Sequence, residues 1–401
     1  MSEWTKVKLG EICERVTSGG TPKANVSSYY NPPTIPWLKT KEVNYCRITE
    51  TENYISEEGL KNSSAKLISP NSVIIAMYGQ GDTAGRIAIN KIPLATNQAC
   101  CNLTIDKSKA DYEFIYYQLC TLYDKLVSLK AGAAQPNLNA RIIKNLEIIM
   151  PSLPIQHRIA SILSRYDSLI ENYQKQIKLL EEAAQRLYKK WFIDLHFPRH
   201  ENTNIIDGVP EGWEKKKVNS IIELQSGFAF KSSTFDDNGT YKIVTIKNVK
   251  DGAFDGDNVS KIVAIPDKMP KHCILADGDI LLSLTGNVGR VCIVNGKSYL
   301  LNQRVAKLAT DYKAFTYCLF RSRDMFIEVN NLANGAAQQN VSPIRIGEMK
   351  ILLPNSELLQ EFESIVFKSI ARIISLQSQL RLLTEARDRL LPKLMGGEIT
   401  V

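Results

Sequence analysis

Three stretches of this 401-residue sequence have residue types that could do bond chemistry. Asn31-Pro32-Pro33-Thr34 has the order of the Asn-Pro-Pro-aromatic loops that hold a target amino nitrogen for methyl transfer. Thr34 stands where an aromatic ring would stack on the base, and no glycine-rich cofactor loop precedes it. A self-sufficient adenine methyltransferase using Asn31–Thr34 is therefore the alternative reading. Gly79-Gln80-Gly81, followed by Gly85, is one residue too long for a dinucleotide fingerprint, and Arg86 and Ile87 follow in place of a long helix. That spacing predicts a hairpin turn. His196 and His200 flank Pro198, and no Cys or carboxylate pair completes a metal site. The eight cysteines form no C-x-x-C pair and sit mostly in apolar runs, which predicts reduced, buried thiols. The expectation is a non-catalytic chain with no metal site and no cofactor of its own.

Polar residues of another kind occur twice. Trp4, Lys6 and Lys8 recur as Trp213, Lys215 and Lys217, and Ser18-Gly19 recurs as Ser226-Gly227. The block from Lys39 to Val43 returns as Thr245 to Val249, with Lys41 matching Lys247. Gly85-Arg86 returns as Gly289-Arg290, Asn97-Gln98 as Asn302-Gln303, and Gly-Ala-Ala-Gln-x-Asn stands at both 132–137 and 335–340. From that motif the copies run without a gap, and ten of the 32 aligned positions 132–163 and 335–366 are identical. Gln and Asn can pair bidentately with adenine, Arg can pair with guanine, and Lys or Thr can hold phosphate. The candidate DNA contacts are therefore Lys39, Lys41, Arg86, Asn97, Gln98, Gln135 and Asn137 in the first copy. In the second they are Lys231, Thr245, Lys247, Asn248, Arg290, Asn302, Gln303, Gln338 and Asn340. Asn97-Gln98 and Gln135 to Asn137 could equally cap turns inside each copy. Residues kept while two copies diverge suit a frame or a phosphate grip better than the reading of different bases.

Long helices must position these turns. Ile155 to Trp191 contains no Pro or Gly, and Ile170, Tyr173, Ile177, Leu180, Ala184, Leu187 and Trp191 alternate steps of three and four. If wholly helical, the run is about 55 Å long at ~1.5 Å per residue. A second run, about Ser356 to Leu391, carries Ile373, Leu376, Leu380 and Leu383 at similar spacing. Because the duplication includes the helix, each seam is expected to be the other's partner. The fold class is mixed α/β (α+β): two repeated domains joined by two long antiparallel coiled-coil helices, pseudo-two-fold symmetric. The expected parts are a first domain at 1–152, a central helix at 153–198, a second domain at 199–353 and a C-terminal helix at 354–401.

Net charge is +8, from 50 Lys+Arg against 42 Asp+Glu, which is compatible with nucleic-acid binding without demanding it. The absence of an apolar run of eighteen residues and of a charged, then apolar, leader predicts a soluble cytoplasmic protein with no membrane partner.

The arrangement resembles the specificity (S, HsdS-type) subunit of type I restriction–modification systems over essentially the whole chain. The resemblance is strongest at Leu153-Pro154-Ile155-Gln156 with Ile159-Ala160 and Ile162-Leu163, at Leu187 to Phe192, and at Leu390 to Ile399. The openings Val7 to Ile12 and Ile35 to Leu38 are also typical of that family's target-recognition domains. It implies that each domain recognises one half of a bipartite double-stranded DNA site and that the helices set the gap. It also implies two docked methyltransferase subunits and, through them, motor-nuclease (restriction) subunits. Those partners would bring S-adenosylmethionine, ATP and Mg chemistry. A coiled-coil adaptor for other proteins is the remaining alternative.

Overall fold

The computed structural model describes residues 4–130, 137–333 and 339–401. Contacts divide the chain into two compact units, Met1–Leu169 with Thr384–Val401, and Ile170–Leu383. Both boundaries fall inside long helices, so each unit contains an α/β body and a segment of both helices.

In unit 1 a five-stranded sheet has the order Cys13–Ser18, Cys100–Ile105, Val73–Ala76, Ile87–Asn90, Cys46–Ile48. Its pairs are antiparallel except the last, where Cys46–Ile48 runs parallel to Ile87–Asn90. Val73–Ala76 and Ile87–Asn90 are buried on both faces, which is why they read as unbroken apolar runs rather than as alternation. The Gly79–Gly85 stretch is the hairpin turn between them, with Gly81 at φ 61° and Gly85 at φ 94°. A smaller sheet places Ile35–Leu38 between Tyr54–Ile55 and Leu94–Thr96. Thr5–Lys8 pairs with Glu147–Met150, the strand just before the central helix, and so closes the body onto it.

Unit 2 repeats the plan. Glu214–Lys217 pairs with Lys350–Leu353. One sheet has the order Glu223–Ser226, Val305–Ala309, Ile280–Ser283, Val291–Ile293, and another centres on the parallel pair Tyr241–Val244 and Tyr299–Leu301. Unit 1 has two further helices, Tyr112–Thr121 and Tyr123–Ser128, matched in unit 2 by Lys313–Arg321 and Arg323–Leu332. Asp111 caps the first by accepting the Phe114 N–H, and Ser322 caps Arg323–Leu332 by accepting the Met325 N–H.

The central helix is Leu153–Tyr188 and passes into a π turn at Lys189–Ile193. Pro154 fits because first-turn N–H groups need no helical acceptor. The second long helix, Ser356–Met395, runs through Pro392 and ends four residues beyond the expected limit near Leu391. It stops at Gly397, whose left-handed φ of 72° lets residues 396–398 return N–H bonds to the carbonyls of Pro392, Lys393 and Leu394.

Each unit packs the two helices together and onto its sheet. In unit 1 the start of the central helix (Ile159, Ala160, Leu163) shares a core with the end of the second (Leu394, Met395) and with Phe114 and Leu126. In unit 2 Tyr188, Trp191 and Phe192 from the end of the central helix surround Phe362 near the start of the second, with ring centroids 6.3, 5.6 and 4.9 Å away. This is the order that antiparallel helices give. Full burial of such an aromatic contributes roughly 2–3 kcal/mol. Of the expected seam, Ile170, Ile373 and Leu376 are buried, while Tyr173, Ile177, Leu180, Leu187, Leu380 and Leu383 are half-buried. Ile177, Leu180, Leu187 and Ile373 pack into the core of unit 2, so this part of the seam serves its domain as well as the partner helix.

Candidate nucleic-acid interface

The matched polar turns are far apart in sequence, and in each unit the backbone brings them to one end of the main sheet. In unit 1 the Gly20 N–H donates to the Thr96 carbonyl at 2.8 Å, and Gly19 N–H to Cys100 at 3.2 Å. A Cβ on Gly19 would lie 2.2 Å from the Asn97 carbonyl oxygen, so only glycine fits. Met77 N–H donates to Ala99, Leu138 N–H donates to Met77, and Asn97 N–H donates to Leu38, the residue before Lys39. The same bonds recur in unit 2: Phe228 to Leu301, Leu284 to Arg304, Val341 to Leu284, and Asn302 to Val244, the residue before Thr245. Gly227 there repeats the 2.2 Å constraint against the Asn302 carbonyl.

This geometry separates frame from surface. Asn97 Oδ1 accepts from the Cys100 thiol at 3.3 Å, and Asn302 Oδ1 accepts from the Arg304 N–H at 3.3 Å. Both asparagines cap their turns. Gln98 and Gln303, one residue on, are exposed. Thr21 donates to Gln98 Oε1, which leaves the amide N–H groups of Gln98 directed by that bond. Thr285 donates to Asn340 Oδ1 at 2.8 Å across the hairpin turn and so fixes Asn340, an exposed residue.

The other candidates divide similarly. Lys39 is half-buried, 3.0 Å from Asn53 Oδ1 and over the Trp37 ring. Lys41 pairs with Glu52 at 3.4 Å. Arg86 pairs with Asp82 at 2.6 Å, and that bond holds the Asp82 carboxyl below its usual range. Thr245 donates its hydroxyl to Asn248 Oδ1 at 3.0 Å. Asn248 is a correction: it is fully buried, and its amide donates to the carbonyls of Asp255 and Asn258, so it shapes the loop and offers DNA nothing. Lys231 is exposed at the start of the turn Ser232–Thr234, Lys247 is exposed, and Asn137 is half-buried beside Leu138. Gln135 and Gln338 lie outside the described residues. Thr21, Thr285 and Arg304 were missed. Their sequence signal was position alone, since Thr21 and Arg304 stand within two residues of a matched pair.

Buried charges anchor each body to the long helices. In unit 1 the Arg47 guanidinium lies 2.8 Å from Asp167 on the central helix and 2.6 Å from Glu113, with side chains 6–13% exposed. Asp167 also accepts from the Tyr117 hydroxyl at 2.5 Å and from Arg387 on the second helix at 2.9 Å. Burial pushes the Asp167 carboxyl up, but the bonds from Tyr117, Arg387 and Arg47 outweigh it and hold it below the ordinary value. In unit 2 Tyr317 donates to Glu181 of the central helix at 2.7 Å, and Glu363 of the second helix accepts the N–H groups of Ala314 and Phe315 at the start of Lys313–Arg321. Burial wins at Glu181 and Glu363, and raises both carboxyls.

Among the described residues no cluster of three His, Cys, Asp or Glu could hold a metal. The His196 and His200 rings meet edge to face with centroids 5.1 Å apart, without a third ligand among those residues. Asn31–Thr34 is an exposed loop. Burial raises the thiols of Cys13 and Cys101 to about 12, which makes them poor nucleophiles.

Comparison with known proteins bears on the repeated body directly. The sequence profile of the type I restriction modification DNA specificity domain matches residues 1–182 and 210–383. The chain belongs to this family. Unit 1 holds most of the first matched domain and unit 2 all of the second, and the matched turns are features of both domains. The chain is 30% identical over 416 residues to the type I restriction enzyme MjaIX specificity subunit of Methanocaldococcus jannaschii, covering 100% of this chain and 94% of that one. It is 27% identical over 417 residues to the MjaVIII specificity subunit of the same organism, covering 100% and 93%. The crystal structure of a type I restriction-modification S subunit from M. genitalium shares the fold, with a TM-score of 0.65 at 18% identity over 98% of this chain and 96% of that one. No helix among the described residues is long and apolar enough to cross a membrane.

Proposed function

We propose that this chain is the DNA-reading subunit of a type I restriction–modification complex and performs no bond chemistry itself. Each specificity domain engages one half of a bipartite site through the sheet end where its turns meet. The two long helices set the distance between the half-sites and dock two methyltransferase subunits. Restriction subunits join through these, and S-adenosylmethionine, ATP and Mg belong to the partners. The observation that carries this reading is the convergence of the matched turns in both units on an equivalent backbone frame, with different side chains mounted on it. A conserved frame with variable outward residues suits two different half-sites, so the whole site is asymmetric. Family membership supports the same conclusion.

The test begins with single-molecule sequencing of methylated adenines in cells carrying this chain and its methyltransferase subunit. A duplex bearing the site found is then titrated with the full chain in that complex. Neutralising six phosphates would make log K fall with log[salt] at a slope near ~5. Salt-independent binding, or no methylated motif, would overturn the reading. Calorimetry of the chain alone with S-adenosylmethionine is expected to give no heat of binding; tight binding would favour the Asn31–Thr34 methyltransferase instead.

A further inference from the structure

We propose that Arg304 is a specificity-determining residue of the second domain, reading a guanine that has no counterpart in the first half-site. The inference rests on the proposed DNA-reading function and names one of its contacts.

Arg304 and Ala99 occupy the same place in the two frames. Each follows the repeated Asn-Gln pair, and each gives its carbonyl to the residue after the hairpin's first strand, Leu284 at 3.0 Å and Met77 at 2.8 Å. Ala99 is 4% exposed and presents nothing. Arg304 is exposed, and its guanidinium has no hydrogen bond or ion pair with the described residues. Its backbone is held on both sides, by Asn302 Oδ1 at the N–H and by the Leu284 N–H at the carbonyl. A free fork on a fixed turn is what bidentate pairing with guanine O6 and N7 requires. The shared residues around it cannot distinguish two different half-sites; the residue that differs can. The neighbouring arginines reinforce the contrast. Arg86 of the first domain is neutralised by Asp82, whereas Arg290 has Gly286 at the matching position and no acidic partner among the described residues. At these two matched positions the second domain thus has guanidinium groups without an acidic partner among the described residues, where the first has the paired Arg86 and the buried Ala99.

The experiment selects bound sequences from a randomised duplex pool with the full chain in complex with its methyltransferase subunits, as wild type, R304A and R304K. Wild type is expected to require guanine at one position of one half-site by about tenfold or more. R304A should lose that preference and leave the other half-site unchanged, which also shows that the variant is folded. R304K keeps the charge but not the planar fork, and should retain the salt dependence while weakening the preference. An R304A loss spread evenly over all sequences, with the salt slope reduced by about 1, would make Arg304 a phosphate contact and overturn the inference. So would an unchanged motif, or R304K matching wild type throughout. A wild-type complex that selects no sequence sinks the DNA-reading function and this inference together, whereas a wild-type motif that R304A leaves intact sinks this inference alone.

Discussion

Asp167 is one carboxylate with three partners: Arg47 and Tyr117 from the first body and Arg387 from the second long helix. Replacing it with Asn leaves two buried or half-buried arginines short of negative charge. Removing one partner of a buried ion pair costs about 3–5 kcal/mol, so D167N is expected to lower the midpoint of urea unfolding by that equivalent. The pH dependence has opposite signs in the two units. Asp167 and Glu113 have folded pKa values below their unfolded ones, so they stabilise unit 1 above about pH 4 and lose that effect as pH falls through the folded values. Glu181 is raised, so its contribution is full below about pH 4 and is lost as pH rises through its folded value. Thermal melts of E181Q against wild type should show a more favourable difference at pH 7 than at pH 5; the reverse order would contradict the assignment. None of these anchors was legible in the sequence. Arg47 and Asp167 are 120 residues apart, and among 42 acidic and 50 basic residues nothing local marks the pair. Asn97 and Asn302 were legible as special because both copies keep them, but whether they face solvent or cap a turn depends on a bond from residues two or three positions on.

The long helices were the most legible elements. A proline-free run with apolar steps of three and four has few other solutions, and the central helix matches it within two residues at its start. Its seam is more than a helix–helix contact, because Ala184, Leu187 and Trp191 also pack into the core of unit 2. The periodic stripe could not distinguish those two kinds of burial. Ile159, off the seam line, is 1% exposed in the core of unit 1, while Leu169, also off that line, is 45% exposed. Phe362 is the sharpest test of packing. It is fully buried among Tyr188, Trp191 and Phe192, so F362A should cost about 3–5 kcal/mol through the cavity it leaves. Stability within 1 kcal/mol of wild type by urea unfolding would mean that the helices do not meet there. The short strands were harder to place. Cys46–Ile48 joins its sheet in parallel, a pairing set by its crossover rather than by any alternation in three residues.

At the scale of the whole chain the duplication was the informative signal, and the structure explains why it survived. Gly19 and Gly227 persist because a Cβ would strike the carbonyl of the following turn in either copy. The turns between such fixed points are free to change. Substituting the shared Gln98 and Gln303 together by Ala is expected to weaken binding to the cognate duplex and to the same duplex with altered bases by similar factors. Electrophoretic titration of both duplexes checks this. A loss confined to the cognate site would make the pair base readers.

The Asp167 anchor also sets a rule for exchanging parts. A graft that replaces residues 4–150 carries away Arg47, Glu113 and Tyr117 and leaves Asp167 and Arg387 on the helices. A foreign domain fits this frame where it brings a guanidinium and a phenol to the same carboxylate. One that lacks them leaves Asp167 buried with Arg387 as its remaining counter-charge. Exchange of the first body on these helices is thus constrained by side chains that take no part in the matched turns.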